Sequence, residues 1–452
     1  MMGFSEGSKA EVKGIIAYSR QSAGERKYIL KEGDATFSFK SRDYFENGEA
    51  VSVSGTVESL ADFSIKPEKI TVLEGKEAEK VYSEVEQKLM DKVELNDALL
   101  FENPASTVLT EKIKELARKF IAAKELNRYI LLRFHGDADG ISGALALKNI
   151  LRFRAYQQNS AVYSPRDAVN DLGNLHHENK PLVVLLDFGT NAQSIGGLKL
   201  LKAGNLEVIC IDHHPLHADV ESNVNALLSP WTVEGLEEQS KYTAGYLASE
   251  IANMCGAENC GRFAKIACAG DKSDVAEPDD KDRKTALVLD YLGAHTSFGN
   301  NLEFYADVLK KEELYSSIYS QAHEKINEAL ERALPKVKKS EKNGIIVYTM
   351  QLDGIIEPKE FPNRSKVTTA VFEHFKSDSP MVVIGYGKRT IILRGNDAFI
   401  ERGNSFSEII GNISSTMKDF VMSGGGHAKA AAVRVEEGYE KSTIDRITEE
   451  FK

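Results

Sequence analysis

His135, Asp137 and Asp139 alternate in the segment His135-Gly136-Asp137-Ala138-Asp139-Gly140, and further along the chain come Asp187 and the triplet Asp212-His213-His214. Imidazole and carboxylate in this mixture suit Mn²⁺, Mg²⁺ or a similar cation, and the thiolates that would favour zinc are missing from it. Together, His135, Asp137, Asp139, Asp187 and His213 exceed what one octahedral ion takes once water and substrate hold their places. Two divalent ions ~3.5–4 Å apart, bridged by a shared carboxylate and a water, account for all of them. A water between two cations loses its proton near neutral pH, while the cations neutralise charge on phosphorus oxygens. The chemistry expected is hydrolysis of a phosphoester without a covalent enzyme intermediate.

Each cluster closes an apolar run: Tyr129 to Phe134, Leu182 to Leu186 and Leu206 to Ile211. Short continuous apolar runs read as parallel strands covered on both faces. Helical segments lie between them, Ser142 to Phe153 and Ser194 to Lys202. This alternation predicts a doubly wound α/β fold with a parallel sheet, whose ligand sites collect beyond the carboxyl ends of the strands. Gly140 permits the tight turn into the following helix. Any one of these motifs alone reads as a solvated loop or a helix cap. Their conjunction on successive strand ends is what argues for metal.

At 452 residues the chain is too long for a single core. Residues 1–75 hold five short stretches of β-branched and aromatic residues, Glu11 to Tyr18, Arg26 to Leu30, Thr36 to Phe39, Val51 to Val57 and Phe63 to Leu73. That pattern predicts an OB-like β-barrel. Tyr28, Phe37, Phe39, Tyr44 and Phe45 either offer stacking surfaces for bases or fill the barrel. Residues 76–127 read as a helical connector broken at Pro104, with Ser106 as a candidate cap. The sheet with the metal-ligand motifs occupies 128–283, and further helices fill 284–340, where Lys336, Lys338, Lys339 and Lys342 read as a solvated linker. A smaller α/β unit spans 341–452, with strands at 344–350, 381–386, 389–393 and 430–435, helices at 365–376 and 405–420, and Ser423-Gly424-Gly425-Gly426-His427 between the last helix and the last strand.

No apolar stretch approaches the roughly 18 residues of a membrane span, and the N-terminus lacks the plan of a signal peptide, so a cytoplasmic protein without membrane partners is expected. Cys210, Cys255, Cys260 and Cys268 are too few for a disulfide framework, and Cys255 and Cys260 have no second pair to complete a zinc spacing. The net charge of -11 argues against unspecific coating of nucleic acid. It leaves a nuclease open, because metal-binding carboxylates contribute to it and bound cations reverse it locally.

On these motifs the chain resembles the DHH phosphoesterase superfamily and, within it, archaeal RecJ-type nucleases. Asp212-His213-His214 matches the triplet that names the superfamily, His135 to Gly140 its first motif and Asp187 its second. For the fourth motif, Ala267-Cys-Ala-Gly270-Asp-Lys-Ser-Asp274 puts Asp274, four residues after the Gly, in the ligand position, with Asp271 as a nearby rival. The resemblance implies one ion on His135, Asp137 and Asp187 and a second on Asp139, Asp187, His213 and Asp274. It also implies His214 at the scissile phosphate and Asp212 orienting the histidines. The C-terminal unit is similar to the DHHA1 substrate-binding domain, with Gly424-Gly425-Gly426-His427 as its signature, Arg394 as its phosphate-binding arginine and Lys429 as a weaker candidate. The activity implied is a Mn²⁺- or Mg²⁺-dependent exonuclease that releases nucleoside 5′-monophosphates from single-stranded DNA or RNA. Related branches suggest two other readings: a replisome scaffold that binds GINS, and a phosphatase of small molecules or short oligonucleotides. Complete ligand positions favour retained activity over a pure scaffold.

Overall fold

In the computed structural model, which describes residues 5–22, 24–33, 35–295, 302–356, 361–426 and 428–452, the β-rich N-terminal stretches close on themselves. Strands β1 (Lys9–Ser22), β2 (Glu25–Glu32), β3 (Ala35–Ser41), β4 (Ala50–Ser59) and β5 (Ser64–Val72) form a barrel in the order β1-β2-β3-β5-β4. All pairings are antiparallel except β3 with β5. This is the five-stranded arrangement of an OB-fold. Gly14 makes the tight coiling possible, since a Cβ there would stand 2.2 Å from the carbonyl oxygen of Lys31. Tyr28, Phe37, Phe39 and Phe45 are buried inside with Val12, Ile16, Leu30 and Val53, so packing, not base stacking, is the use of these four rings. Tyr44 alone of the five is exposed.

Helix α1 (Gly75–Lys92) seals one side of the barrel by laying Val81, Tyr82, Val85 and Leu89 against Ile15 and Ala50. Helix α2 (Pro104–Glu125) follows. Pro104 opens this helix at its first position, where a missing N–H costs nothing. Asn103, not Ser106, is the N-cap. Its side chain accepts from the Ser106 amide at 2.9 Å while Ser106 Oγ accepts from the Asn103 amide at 3.1 Å.

The central layer is a parallel sheet. Its elements are β6 (Ile130–His135), α3 (Ala138–Lys148), β7 (Arg154–Gln158), α4 (Pro165–Leu175), β8 (Leu182–Leu186), α5 (Ile195–Ala203), β9 (Glu207–Ile211) and β10 (Ala226–Leu228). The strands lie in the order β10-β9-β8-β6-β7 and are parallel throughout. Apolar runs reveal β6, β8 and β9 in the sequence, whereas the edge strands β7 and β10 escape that criterion. β7 mixes Arg, Tyr and Gln, and β10 has only three residues. The winding direction reverses between β6 and β8, the topological switch point at which doubly wound folds bind ligands. Helices α6 (Ala244–Met254) and α7 (Cys260–Gly270) pack on α3 at backbone distance, and a Cβ on Gly143 would meet the Gly245 Cα at 2.9 Å.

The chain divides into two compact units near residue 282. The second takes in most of α8 (Asp280–His295) and α9 (Leu302–Lys310), then α10 (Glu312–Ala333), β11 (Lys338–Lys342), β12 (Ile345–Gln351), α11 (Arg364–Phe375), β13 (Met381–Gly387), β14 (Thr390–Gly395), α12 (Asp397–Glu401), α13 (Phe406–Thr416), β15 (Val421–Gly426), β16 (Ala430–Val435) and α14 (Glu440–Glu449). Its six-stranded sheet runs β11-β12-β13-β14-β16-β15. Two expectations change here. The lysine-rich segment is not a linker, because residues 338–342 pair with β12 as an exposed edge strand, where lysines discourage pairing with another chain. Gly424, Gly425 and Gly426 pair with β16 along the opposite edge instead of forming a loop. Gly426, at φ +143, leaves no room for a side chain, since a Cβ would fall 2.4 Å from the Ala430 carbonyl oxygen. Among the described residues, no helix is long and apolar enough to cross a membrane.

Within the first unit, Arg128 ties the helices to the sheet. Its buried guanidinium meets Glu86 of α1 at 2.9 Å and Glu207 of β9 at 2.6 Å, and its Nε donates to the Lys180 carbonyl at 2.8 Å. Lys119 also reaches Glu207 at 2.5 Å and Glu86 at 3.8 Å, so replacing Arg128 leaves two mostly buried carboxylates sharing one cation. Arg128→Leu is therefore expected to lower the unfolding free energy by about 3 kcal/mol, the low end for a broken buried pair, read from urea denaturation followed by circular dichroism. An unchanged midpoint would show that the network contributes nothing.

Candidate metal centre

The carboxyl ends of β6, β8 and β9 bring the sequence motifs to one place. His135 ends β6, and Asp137 follows as the N-cap of α3, accepting from the Gly140 amide at 3.1 Å. Gly140 is required by proximity, since a Cβ would stand 2.3 Å from the His135 carbonyl oxygen. Asp139 lies in the first turn of α3, buried, and its oxygens accept from the amides of Ala244 and Gly245 at 2.9 and 2.7 Å. The N-terminus of α6 thus anchors this carboxylate with two backbone donors. Asp187, just after β8, adopts a left-handed backbone at φ +67, a conformation costing on the order of 1 kcal/mol for an L-residue.

Asp187 lies between two groups of potential ligands. Its Oδ2 is 3.4 Å from His135 Nδ1, which in turn is 2.7 Å from Asp137 Oδ2. Its Oδ1 is 3.4 Å from His213 Nε2, which lies 3.6 Å from Asp139 and 3.2 Å from Asp271. Potential ligand atoms of His135, Asp137 and Asp187 lie within 4.8 Å of one another, as do those of Asp139, His213 and Asp271. Both oxygens of Asp187, Nδ1 of His135 and Nε2 of His213 are buried without a hydrogen-bond partner. Each such orphan costs about 1–3 kcal/mol. Lone pairs converging in this way fit divalent cations with oxygen and imidazole ligands.

The electrostatics agree with that fit. Burial, with Asp139 and Asp137 close by, pushes Asp187 well above the usual carboxylate range. Partial desolvation, with Asp139 and Asp137 close by, raises Asp271 above the usual carboxylate range, and His213 pulls it down. Burial opposes the charged form of His213, but Asp187, Asp271 and Asp139 raise it well above the ordinary histidine range. A site crowded with carboxylates makes the bare protein hold protons that a cation would displace.

Neighbouring groups fix the histidines. His213 Nδ1–H donates to the Ser240 carbonyl at 2.7 Å, which leaves Nε2 free to ligate. The His213 carbonyl accepts from Trp231 Nε1 at 2.9 Å. His214 Nδ1–H donates to Asp212 Oδ1 at 2.8 Å, while Asp212 Oδ2 accepts from the hydroxyl and amide of Thr190 at 2.6 and 3.2 Å. Asp212 is fully buried and its side-chain hydrogen bonds all go to these two residues, which suits a positioning role. His214 and Asp271 are the more open members, with Asp271 exposed at the mouth of the site.

The preference for Asp274 is corrected by this geometry. Asp274 is exposed and lies 3.6 Å from Lys241, while Asp271 reaches His213. The turn that ends α7 explains the difference. Asp271 is the C-cap of that helix and keeps its aim toward the sheet, but the chain turns away over the next three residues. Thr190, Ser240, Ala244 and Gly245 hold the candidate site residues through contacts that residue spacing does not disclose. Thr243 ahead of a small-residue helix start does signal a cap, but not which carboxylate that helix end meets.

In the second unit, Arg394 on β14 donates to Thr369 Oγ1 at 3.1 Å, Ser365 Oγ at 2.6 Å and the Leu393 carbonyl at 2.8 Å. These partners are neutral, and burial pushes the guanidinium down to about 10. Lys429 is ion-paired with Asp397. Gly424 to Gly426 belong to β15, and His427 lies outside the described residues.

Comparison with known proteins adds four findings. Residues 129–267 match the model of the DHH family, N-terminal domain. An uncharacterized protein of Methanocaldococcus jannaschii is 26% identical over 479 residues, covering 90% of this chain and 62% of that protein, so the chain spans less than two thirds of the relative's length. A solved structure described as the DHH domain of a member of a ribosomal protein family aligns with TM-score 0.72 and 24% identity, covering 83% of this chain and 99% of that one. RecJ of Thermus thermophilus in complex with Mn²⁺ aligns with TM-score 0.47 and 14% identity over 80% and 56% of the respective chains.

Two substitutions separate the rival aspartates. Asp271→Asn is expected to weaken Mn²⁺ binding, measured by titration calorimetry, by about tenfold or more, with Asp274→Asn indistinguishable from wild type. The reverse order would return the ligand role to Asp274. Gly245→Ala probes the α6 cradle, because its Cβ would stand 2.8 Å from an Asp139 oxygen. A similar loss of Mn²⁺ affinity is expected at unchanged helix content.

Proposed function

We propose that this chain, a member of the DHH superfamily through residues 129–267, is a metal-dependent phosphodiesterase that degrades single-stranded DNA or RNA from an end and releases nucleoside 5′-monophosphates. The observation that carries this reading is the position of Asp187, whose two unpartnered oxygens face the unpartnered Nδ1 of His135 on one side and Nε2 of His213 on the other. His135, Asp137 and Asp187 would hold one divalent ion, Mn²⁺ or Mg²⁺. Asp139, Asp187, His213 and Asp271 would hold the other. Such ions, when bound, supply the Lewis acidity that makes water nucleophilic near neutral pH and offsets charge gathering on phosphoryl oxygens.

The remaining steps fall to this chain's own side chains. Burial works against protonation of His214, but Asp212 raises its basicity above the ordinary histidine range. A protonated His214 with Nδ1 committed to Asp212 presents Nε2–H to a phosphate oxygen or to the leaving oxygen. Thr190 holds Asp212 and thereby the angle of that ring. Arg394, with neutral hydrogen-bond partners only, is suited to a terminal or internal phosphate. The OB-like barrel supports a polymeric substrate over a small phosphomonoester. The intact ligand set supports catalysis over a scaffold role alone, and binding of GINS is compatible with both.

The test is an end-labelled single-stranded DNA and RNA assay with Mn²⁺, with Mg²⁺ and with chelator, reading products from both ends. Mononucleotide release with either cation and none with chelator is expected. Asp187→Ala is expected to remove that activity by a factor of at least roughly 10³, and persistent cleavage in that variant would sink the assignment. Arg394→Ala is expected to raise KM with Mn²⁺ affinity unchanged. Faster turnover of phosphoadenosine phosphate than of an oligonucleotide would favour a small-molecule phosphatase instead.

A further inference from the structure

The chain has a single tryptophan, Trp231, and it sits beside the candidate metal centre. Leu228, the last residue of β10, pairs with Ile211 of β9, so the turn that begins at Ser229 emerges at the same end of the sheet as Asp212, His213 and His214. From that turn the indole Nε1–H donates to the His213 carbonyl at 2.9 Å. The ring is thus tied to the peptide that joins His213, a proposed metal ligand, to His214, proposed to meet phosphate. It is half-buried, and among the described residues no second ring and no cation stacks on it.

Anchoring the turn does not require an indole. The Asp212 amide already donates to the Leu228 carbonyl at 3.1 Å, and Ser229 Oγ accepts from the Trp231 amide at 3.3 Å, with Pro230 buried between them. A smaller side chain would leave all of this in place. Nor is this rim built to take phosphate. Between Thr232 and Tyr242 the chain carries Glu234, Glu237 and Glu238, and its one cation, Lys241, is committed to Glu238 at 2.5 Å and Asp274 at 3.6 Å. An indole is polar at one edge and apolar across its faces, so the edge can bond the protein while a face takes a planar partner. A nucleobase is such a partner whatever its identity, and it lies one sugar away from the phosphate that the centre would hold.

We propose that Trp231 stacks on the base of the nucleotide whose phosphate lies at the metal centre, and so binds substrate through a face that all bases share. The identity of the substrate as a polynucleotide rests on the phosphodiesterase reading above. The hydrogen bond to His213 sets the plane of the indole before substrate arrives, and a preset ring loses less freedom on binding. A π-face discriminates little among bases, whereas a phosphate carried on a bare sugar gains nothing from Trp231.

Because the chain holds no other tryptophan, indole fluorescence reports on this residue alone. Titrating the full chain in Mg²⁺ with adenosine 5′-monophosphate is expected to quench that emission to saturation. Ribose 5-phosphate, which has the phosphate but no base, is expected to leave it unchanged. Quenching by both alike, or by neither, overturns the proposal. On a single-stranded oligonucleotide, Trp231→Leu is expected to raise KM about tenfold, and Trp231→Phe, which keeps a stacking face but lacks the N–H, by less than about threefold, with kcat unchanged. Mn²⁺ affinity is expected to hold in both variants. Equal impairment of the two, with Mn²⁺ affinity lost alongside, would mean that the indole serves only to fix His213, and the stacking role would be overturned. Failure of the wild-type protein to cleave nucleic acid with Mn²⁺ would remove the phosphodiesterase reading and leave base-dependent quenching standing.

Discussion

A carboxylate buried with both oxygens unpartnered is expensive, and Asp187 is in that position with Asp137 and Asp139 nearby. The surrounding architecture makes sense as a means of holding mutual repulsion in place until cations relieve it. The left-handed backbone at Asp187 aims the carboxylate into the space between β6 and β9. The end of α6 neutralises part of the charge on Asp139. Ser240 and the Asp212–Thr190 pair fix the two imidazoles from behind. None of these contacts lowers the repulsion among the ligands themselves. Stability is given up locally for a preorganised site, a trade commonly found where function resides.

Holding that repulsion requires a rigid frame, and the frame depends on small residues at crossings. Gly143 against Gly245 and Gly270 against Ala138 let α3, α6 and α7 approach at backbone distance. At such distances the α6 amides can reach the Asp139 side chain. Ordinary side chains at these crossings would push the helices apart and leave the carboxylate buried without donors. The Arg128 network ties the connector helices to the sheet, so the OB-like barrel is joined to the layer that carries the metal ligands through α1 and α2.

Charge is arranged by opposite rules in different places. At the candidate metal centre, negative groups crowd together and suit divalent cations. In the second unit Arg394, half-buried, has only neutral hydrogen-bond partners among the described residues. In each case like charges or unpaired charges persist in the folded chain, which random surface patterning does not favour.

Much of this was legible in the residues because the signals are local. Continuous apolar runs disclose β6, β8 and β9, since strands covered on both faces need no polar alternation, and the chemistry-bearing residues follow each run directly. Five short β-rich stretches with turn residues between them disclose the barrel. Where composition is mixed or a segment is short, as in β7, β10, β11 and the glycine strand β15, hydrogen bonding to a neighbour decides the structure, and no neighbour is visible in the sequence. The same limit applies within the site. The types of the ligands, and the conjunction of His135, Asp137, Asp139, Asp187 and His213 at strand ends, follow from the sequence alone. Asp271 in place of Asp274, the shared position of Asp187, the α6 amides on Asp139 and the role of Thr190 were decided only by the tertiary structure, because each depends on the direction in which a side chain leaves a turn and on what another segment places opposite it.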